Sequence, residues 1–168
     1  TIIGRSMYAI GGNVQGGKVY GAPQGTAMGG GILYNKDVYA TLGLQVPKSW
    51  AEFTANNDKI KAAGITPVVS SFKDTWTSQL FVLGDFYNVQ KANPTFADDY
   101  TANKVKYATD PAAVRGFEKL AEAQAKDWLN KGYGSMTFDQ GMAYLVSGKG
   151  AHYPMLTFAI QTIQDLFP

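Results

Sequence analysis

Histidine occurs once in the 168 residues and cysteine not at all, so chemistry that depends on either has few places to stand. A Ser-His-Asp arrangement would have to be built on His152, and a zinc site would lack its nitrogen and sulfur ligands. A lone histidine in a short strand reads instead as a packed side chain. Paired carboxylates for glycoside hydrolysis could be drawn from Asp74, Asp85, Asp98, Asp99, Glu118 or Glu122, but none stands in an apolar setting that would raise a pKa, and all read as solvated surface charge. The glycine-rich run from Gly25 to Gly31 lacks the Gly-Lys-Ser/Thr of a phosphate-binding loop, and no helix follows it directly. Its glycines read as letting the backbone pass close to a ligand or a neighbouring strand. No cofactor and no metal is implied.

What remains is aromatic: three Trp, ten Tyr and nine Phe make up 13% of the chain. Sugars bind flat rings because their axial C–H groups present an apolar patch while their hydroxyls seek polar partners around the rim. Trp76 follows the polar stretch Ser70-Ser71-Phe72-Lys73-Asp74-Thr75, which sets an indole beside hydroxyl and carboxylate groups. Two readings stand for it, a stacking surface for a ligand or a residue packing the first turn of its own helix. Trp50 and Trp128 fall on apolar helical stripes and read as core, and Phe158 reads either way.

These side chains need a scaffold, and the pattern supplies one of short strands alternating with helices. Val19–Pro23, Gly31–Asn35, Ile65–Val69 and Ala151–Tyr153 read as strands, with Pro67 marking an edge or entry position. Lys36–Leu42 is a short helix stopped by Gly43. Ser49 and Glu52 form a capping box for a helix of about four turns ending at Gly64. A helix over Thr75–Tyr87 would bury Trp76, Leu80, Leu83 and Tyr87, and Phe96 to Tyr100 reads as the start of a short one. Asp110-Pro111 starts a helix whose stripe (Val114, Phe117, Leu120, Ala121, Gln124, Trp128) runs to about residue 130. Thr137 caps another, carrying Met142, Tyr144 and Leu145, and Thr157–Leu166 forms the last. Alternation of this kind predicts an α/β domain rather than a bundle or a sandwich.

The bulk properties agree with one compact core of ordinary domain size. Fifteen basic and thirteen acidic residues are scattered without runs, which gives no footprint for a nucleic acid or an anionic membrane. No stretch reaches the roughly 18 to 20 apolar residues of a membrane span. The opening Thr1-Ile2-Ile3-Gly4-Arg5 lacks the form of a leader peptide, so an exported parent would carry its leader elsewhere.

Five ordered segments resemble the extracellular solute-binding proteins (family 1) of carbohydrate ABC transporters. They are Gly17–Pro23, Ile32–Asp37, Leu42–Leu44 with Val46–Phe53, Ala62–Pro67 with Trp76, and Phe138–Ala151. The most specific is Pro47-Lys48-Ser49-Trp50-Ala51-Glu52-Phe53. The resemblance runs from about residue 17 to 163 and implies a periplasmic-binding-protein-like (type II) lobe, with a short mixed sheet flanked by many helices. Members of the family are longer than this chain, and the matching segments belong chiefly to the second of their two lobes. The implied division is an entry segment at 1–16, one α/β lobe at 17–153 between hinge crossings near residues 20 and 153, and a following helix at 154–168.

The resemblance further implies a non-catalytic role, in which a sugar or oligosaccharide lies in an interlobe cleft and is passed to the transmembrane subunits of a permease. It implies an extracytoplasmic setting, either the periplasm or the surface of a bacterium as a lipoprotein. Carried over by position, Trp76 falls on the family's aromatic ligand loop and Phe158 on an aromatic near its Gly-Ser-Trp segment. Met155-Leu156 stands here where two glycines are usual. Lys73, Asp74, Thr26, Ala27 and Thr157 complete the implied ligand-contacting set, while Tyr34 and Asn35 are implied to be structural. A carbohydrate-active hydrolase and a non-catalytic interaction domain are the alternatives.

Overall fold

The structure, a computed structural model, describes residues 29–168 together with the short antiparallel pair β1 (Val14–Gln15) and β2 (Lys18–Val19). The expected entry segment at 1–16 and the expected hinge crossing near residue 20 fall largely outside the described residues.

The organising element is β5 (Gly150–Leu156), buried from Gly150 to Met155 and flanked by two others in the order β3-β5-β4. β3 (Gly30–Tyr34) runs antiparallel to it, with Gly30 opposite Leu156 and Tyr34 opposite His152. β4 (Thr66–Val68) runs parallel, with Thr66 opposite Gly150. The small mixed sheet matches the expectation, as does the edge position of Pro67.

A second proline, Pro154, sits in the central strand, where a missing N–H ordinarily costs a ladder bond. The register removes that cost. Asn35 donates to the Ala151 carbonyl at 2.9 Å and Thr157 to that of Gly29 at 2.9 Å, so the alternating antiparallel pattern turns residue 154 away from β3. On its other side β4 has already ended. β5 therefore continues three residues past the expected Tyr153, with no break there.

Helices cover both faces. α1 (Lys36–Leu42) and α2 (Trp50–Ala62) form as expected. The capping at Ser49 differs in one bond: Ser49 accepts from the Glu52 amide, but Glu52 accepts from Lys48 rather than Ser49. α3 (Leu80–Ala92) follows a 3₁₀ turn at Thr75–Gln79, and α4 (Phe96–Thr101) and α5 (Pro111–Ala125) follow it. α6 (Phe138–Val146) and α7 (Phe158–Leu166) lie on the other face, where Met142, Leu145, Tyr153, Met155 and Ala159 share one core and Ile163 packs against it.

Two expected helix faces are corrected. The stripe through Trp76, Leu83 and Tyr87 is not buried. Tyr87 is 71% exposed, and the buried set on α3 is Leu80, Phe81, Asp85 and Val89. Only Trp76 is separated from α3 by the 3₁₀ turn; within the helix the face turned to α5 and the sheet is the one that is buried, and it runs through Phe81, Asp85 and Val89. On α5 the buried positions are Ala113, Gly116 and Ala123, while Phe117 is 50% exposed. Small residues are buried there because α5 lies directly on α3: a Cβ at Gly116 would stand 2.9 Å from the Val82 Cα. Gly30 meets α3 in the same way, since a Cβ there would stand 3.1 Å from the Gly84 Cα, so the close approach read from the glycine run is to a helix.

A Gly→Ala change inside a helix normally gains about 1 kcal/mol. Gly116→Ala is expected to reverse that sign and cost about 1–3 kcal/mol, because the neighbour is backbone that cannot rotate away. Urea unfolding of the two proteins measures it.

Candidate ligand-facing edge

Because β4 and β5 are parallel, their C-terminal ends open on one edge of the sheet, where α/β folds place ligands. From the end of β4 the chain passes through Ser70-Ser71-Phe72-Lys73-Asp74 into the 3₁₀ turn that carries Trp76. From the end of β5 it passes through Thr157 to Phe158, the first residue of α7. Two residues far apart in sequence are so brought together, with ring centroids 6.1 Å apart and planes 39° from each other. Each is 36% exposed, which leaves a face for a ligand on rings otherwise held by protein.

Phe138 completes the cluster, 5.3 Å from Trp76 and 5.8 Å from Phe158. It is absent from the set read in the sequence. The signal available was the cap: Thr137 accepts from the Gln140 amide and Gln140 accepts from that of Thr137, which fixes Phe138 as the first residue of α6. Nothing in the spacing shows that α6 begins beside the Trp76 loop.

The polar members take unequal places. Asp74 Oδ2 accepts from the Phe138 amide at 2.6 Å, tying the loop to the start of α6. Lys73 donates its backbone N–H to Met136 at 3.2 Å and has an exposed side chain. Thr157 Oγ1 accepts from Gly29 at 3.1 Å at the beginning of β3. Thr26 and Ala27, in the loop that leads there, lie outside the described residues.

The residues considered for catalysis are occupied otherwise. His152 is buried, with Nδ1 2.9 Å from the Pro67 carbonyl and Nε2 2.6 Å from the Tyr39 hydroxyl. Asp85 corrects the expectation of solvated charge, being 6% exposed between α3 and α5 and bonded to Lys119 and to Asn88. Helix packing buries it, and Lys119 buries with it. Glu122 accepts from the Trp50 indole at 2.8 Å, and that bond holds its carboxyl below the usual range, the opposite of what a general acid needs. Asp99 accepts from Thr95, and Asp98 and Glu118 are exposed. Trp128 is core as expected; Trp50 is only half-buried.

Residues 3–163 match the family model of the bacterial extracellular solute-binding proteins. The chain belongs to that family. A multiple sugar-binding protein of Streptococcus mutans serotype c is 32% identical over 103 residues, which are 61% of this chain and 23% of that protein. Among solved structures, a chitin oligosaccharide binding protein superposes with a TM-score of 0.79 at 22% identity, covering 97% of this chain and 42% of its own. The solute-binding protein RafE in complex with raffinose gives 0.65 at 26% identity, covering 92% and 41%. The architecture is therefore that of the periplasmic-binding-protein-like fold, and the chain spans less than half the length of these relatives. The family is described as extracellular, which gives an extracytoplasmic setting. No helix of the described residues is long and apolar enough to cross a membrane.

Proposed function

We propose that this chain is one lobe of the substrate-binding component of a carbohydrate ABC transporter, residues 17–153 with the helix that follows. Its exposed edge forms half of an interlobe cleft for a sugar or oligosaccharide. The observation that supports this best is the convergence of Trp76, Phe138 and Phe158 where two strands end together, since aromatic faces with a polar rim suit a ring bearing both C–H and hydroxyl groups. The names of the sugar-binding relatives support the ligand class. Lys73 donates to ligand hydroxyls, and Asp74, whose Oδ2 is committed to Phe138, accepts through Oδ1. Thr157 stands on the same rim, and the family resemblance adds Thr26 and Ala27 as ligand contacts.

The work done is ligand-driven closure, in which the sugar binds the closed state more tightly and the closed shape is read by the permease. No bond is made or broken. The parent is a periplasmic protein or a cell-surface lipoprotein of a bacterium.

Calorimetry of the full-length protein against raffinose, mannobiose and chitin oligosaccharides is expected to give saturable binding that Trp76→Ala weakens about tenfold or more. The isolated chain is expected to bind the same sugars weakly or undetectably, because half a cleft meets the same association cost with fewer contacts. Binding that Trp76→Ala leaves unchanged, or steady turnover of a nitrophenyl glycoside, would overturn the reading.

A further inference from the structure

The loop carrying Trp76 is fastened from several sides. Ser70 donates its amide to Asn130 at 2.6 Å and Phe72 to Tyr133 at 2.8 Å, while Thr77 Oγ1 donates to the carbonyls of Ser71 and Asp74 at 2.9 and 3.0 Å. Beneath it lies a different kind of contact. The Ser71 hydroxyl meets that of Tyr153 at 2.6 Å, with both residues essentially inaccessible to solvent. Tyr153 OH in turn reaches the Phe138 carbonyl at 3.5 Å and lies against Gly141, where a Cβ would come within 2.6 Å of it. Burial pushes the Tyr153 hydroxyl up to about 12, so it stays protonated and able to donate.

The hydroxyl pair is not required to fill this space. A buried Phe and Ala of the same outline would replace it at little net cost, because removing both partners of a buried hydrogen bond leaves no orphan. What the pair adds is direction: it holds the start of the Trp76 loop and the first turn of α6, on which Phe138 stands, to one strand residue.

We propose that Tyr153 and Ser71 are positioning residues of the sugar site, presetting Trp76 and Phe138 at their mutual distance before ligand arrives. This rests on the sugar-binding reading above. Preset rings spare the ligand the entropy of ordering them, so freeing both is expected to weaken binding about tenfold.

The experiment compares Tyr153→Phe, the double change Ser71→Ala with Tyr153→Phe, and Gly141→Ala, which leaves both hydroxyls in place but displaces Tyr153. Iodide quenching of Trp76 fluorescence, taken as the difference from Trp76→Ala, is expected to rise in all three. Affinity of the full-length protein for raffinose or chitin oligosaccharides is expected to fall in all three. The double change is expected to regain most of the stability that Tyr153→Phe loses, without regaining affinity. A double variant of wild-type stability, affinity and quenching would overturn the proposal while Trp76→Ala still weakened binding. Insensitivity of binding to Trp76→Ala would instead overturn the sugar reading beneath it.

Discussion

Lowering the pH from 7 to 4 is expected to remove about 3 kcal/mol of stability through His152 alone. The Pro67 carbonyl can only accept, so the imidazole proton sits on Nδ1, and Nε2 takes the Tyr39 hydroxyl as donor. A second proton on Nε2 would charge a ring shut away from water, and that burial lowers the histidine from its ordinary 6.5 to about 4. Above pH 6.5 folded and unfolded forms are both neutral, and the group has no effect on stability. Between 6.5 and 4 the unfolded chain binds a proton that the folded chain refuses, so stability falls by about 1.4 kcal/mol per pH unit. Below 4 the loss is complete. Carboxylates add their own acid dependence, but this is the sole histidine of the sequence, so its imidazole resonances can be followed without ambiguity. Urea unfolding at several pH values, with NMR titration of the native ring, measures both quantities. A native titration near 6.5 would remove the basis for the expected loss.

That packed role was legible from residue type, and so was much of the scaffold. Helix starts at Ser49, Asp110 and Thr137 are local events, each written in a cap and the residues it serves, and all three side chains cap their helices, although Glu52 closes on Lys48 rather than on Ser49. The faces of α3 and α5 were not legible. Which side of a helix is buried depends on what it packs against, and at Gly116 the partner is backbone at a distance that only small residues permit. The candidate site divides along the same line. Trp76 stood out for its polar neighbours and Phe158 by resemblance, whereas their meeting with Phe138 follows from the parallel register of β4 and β5, which no local pattern encodes. Asp74 looked like a rim acceptor, and the tertiary fold gives one of its oxygens to an amide 64 residues away.

Trp128→Ala is expected to be the most damaging single truncation in the core, costing about 3–5 kcal/mol. The residue was expected inside a helix running to about residue 130. Instead α5 ends at Ala125, and Asp127 adopts a left-handed φ of 53°, which an aspartate tolerates better than most side chains. That turn sends Trp128 back under the sheet, where it is fully buried, with ring centroids 6.4 Å from Phe53 and 6.5 Å from Trp50. Its indole N–H finds no partner among the described residues, so Trp128→Phe deletes an unpaired donor as well as volume and is expected to cost less than about 2 kcal/mol. Urea unfolding with a constant slope separates the two variants. An alanine cost below about 1 kcal/mol would show that the site collapses around the loss. The damage should also reach the candidate ligand-facing edge. Val68 donates to the Trp128 carbonyl at 3.0 Å, and two residues on, Asn130 accepts the Ser70 amide at the root of the Trp76 loop. Freeing the ring loosens that segment first. Hydrogen exchange at the Ser70 amide is therefore expected to accelerate in Trp128→Ala by more than global destabilisation requires, and equal acceleration at all core amides would show that core and loop are not coupled in this way.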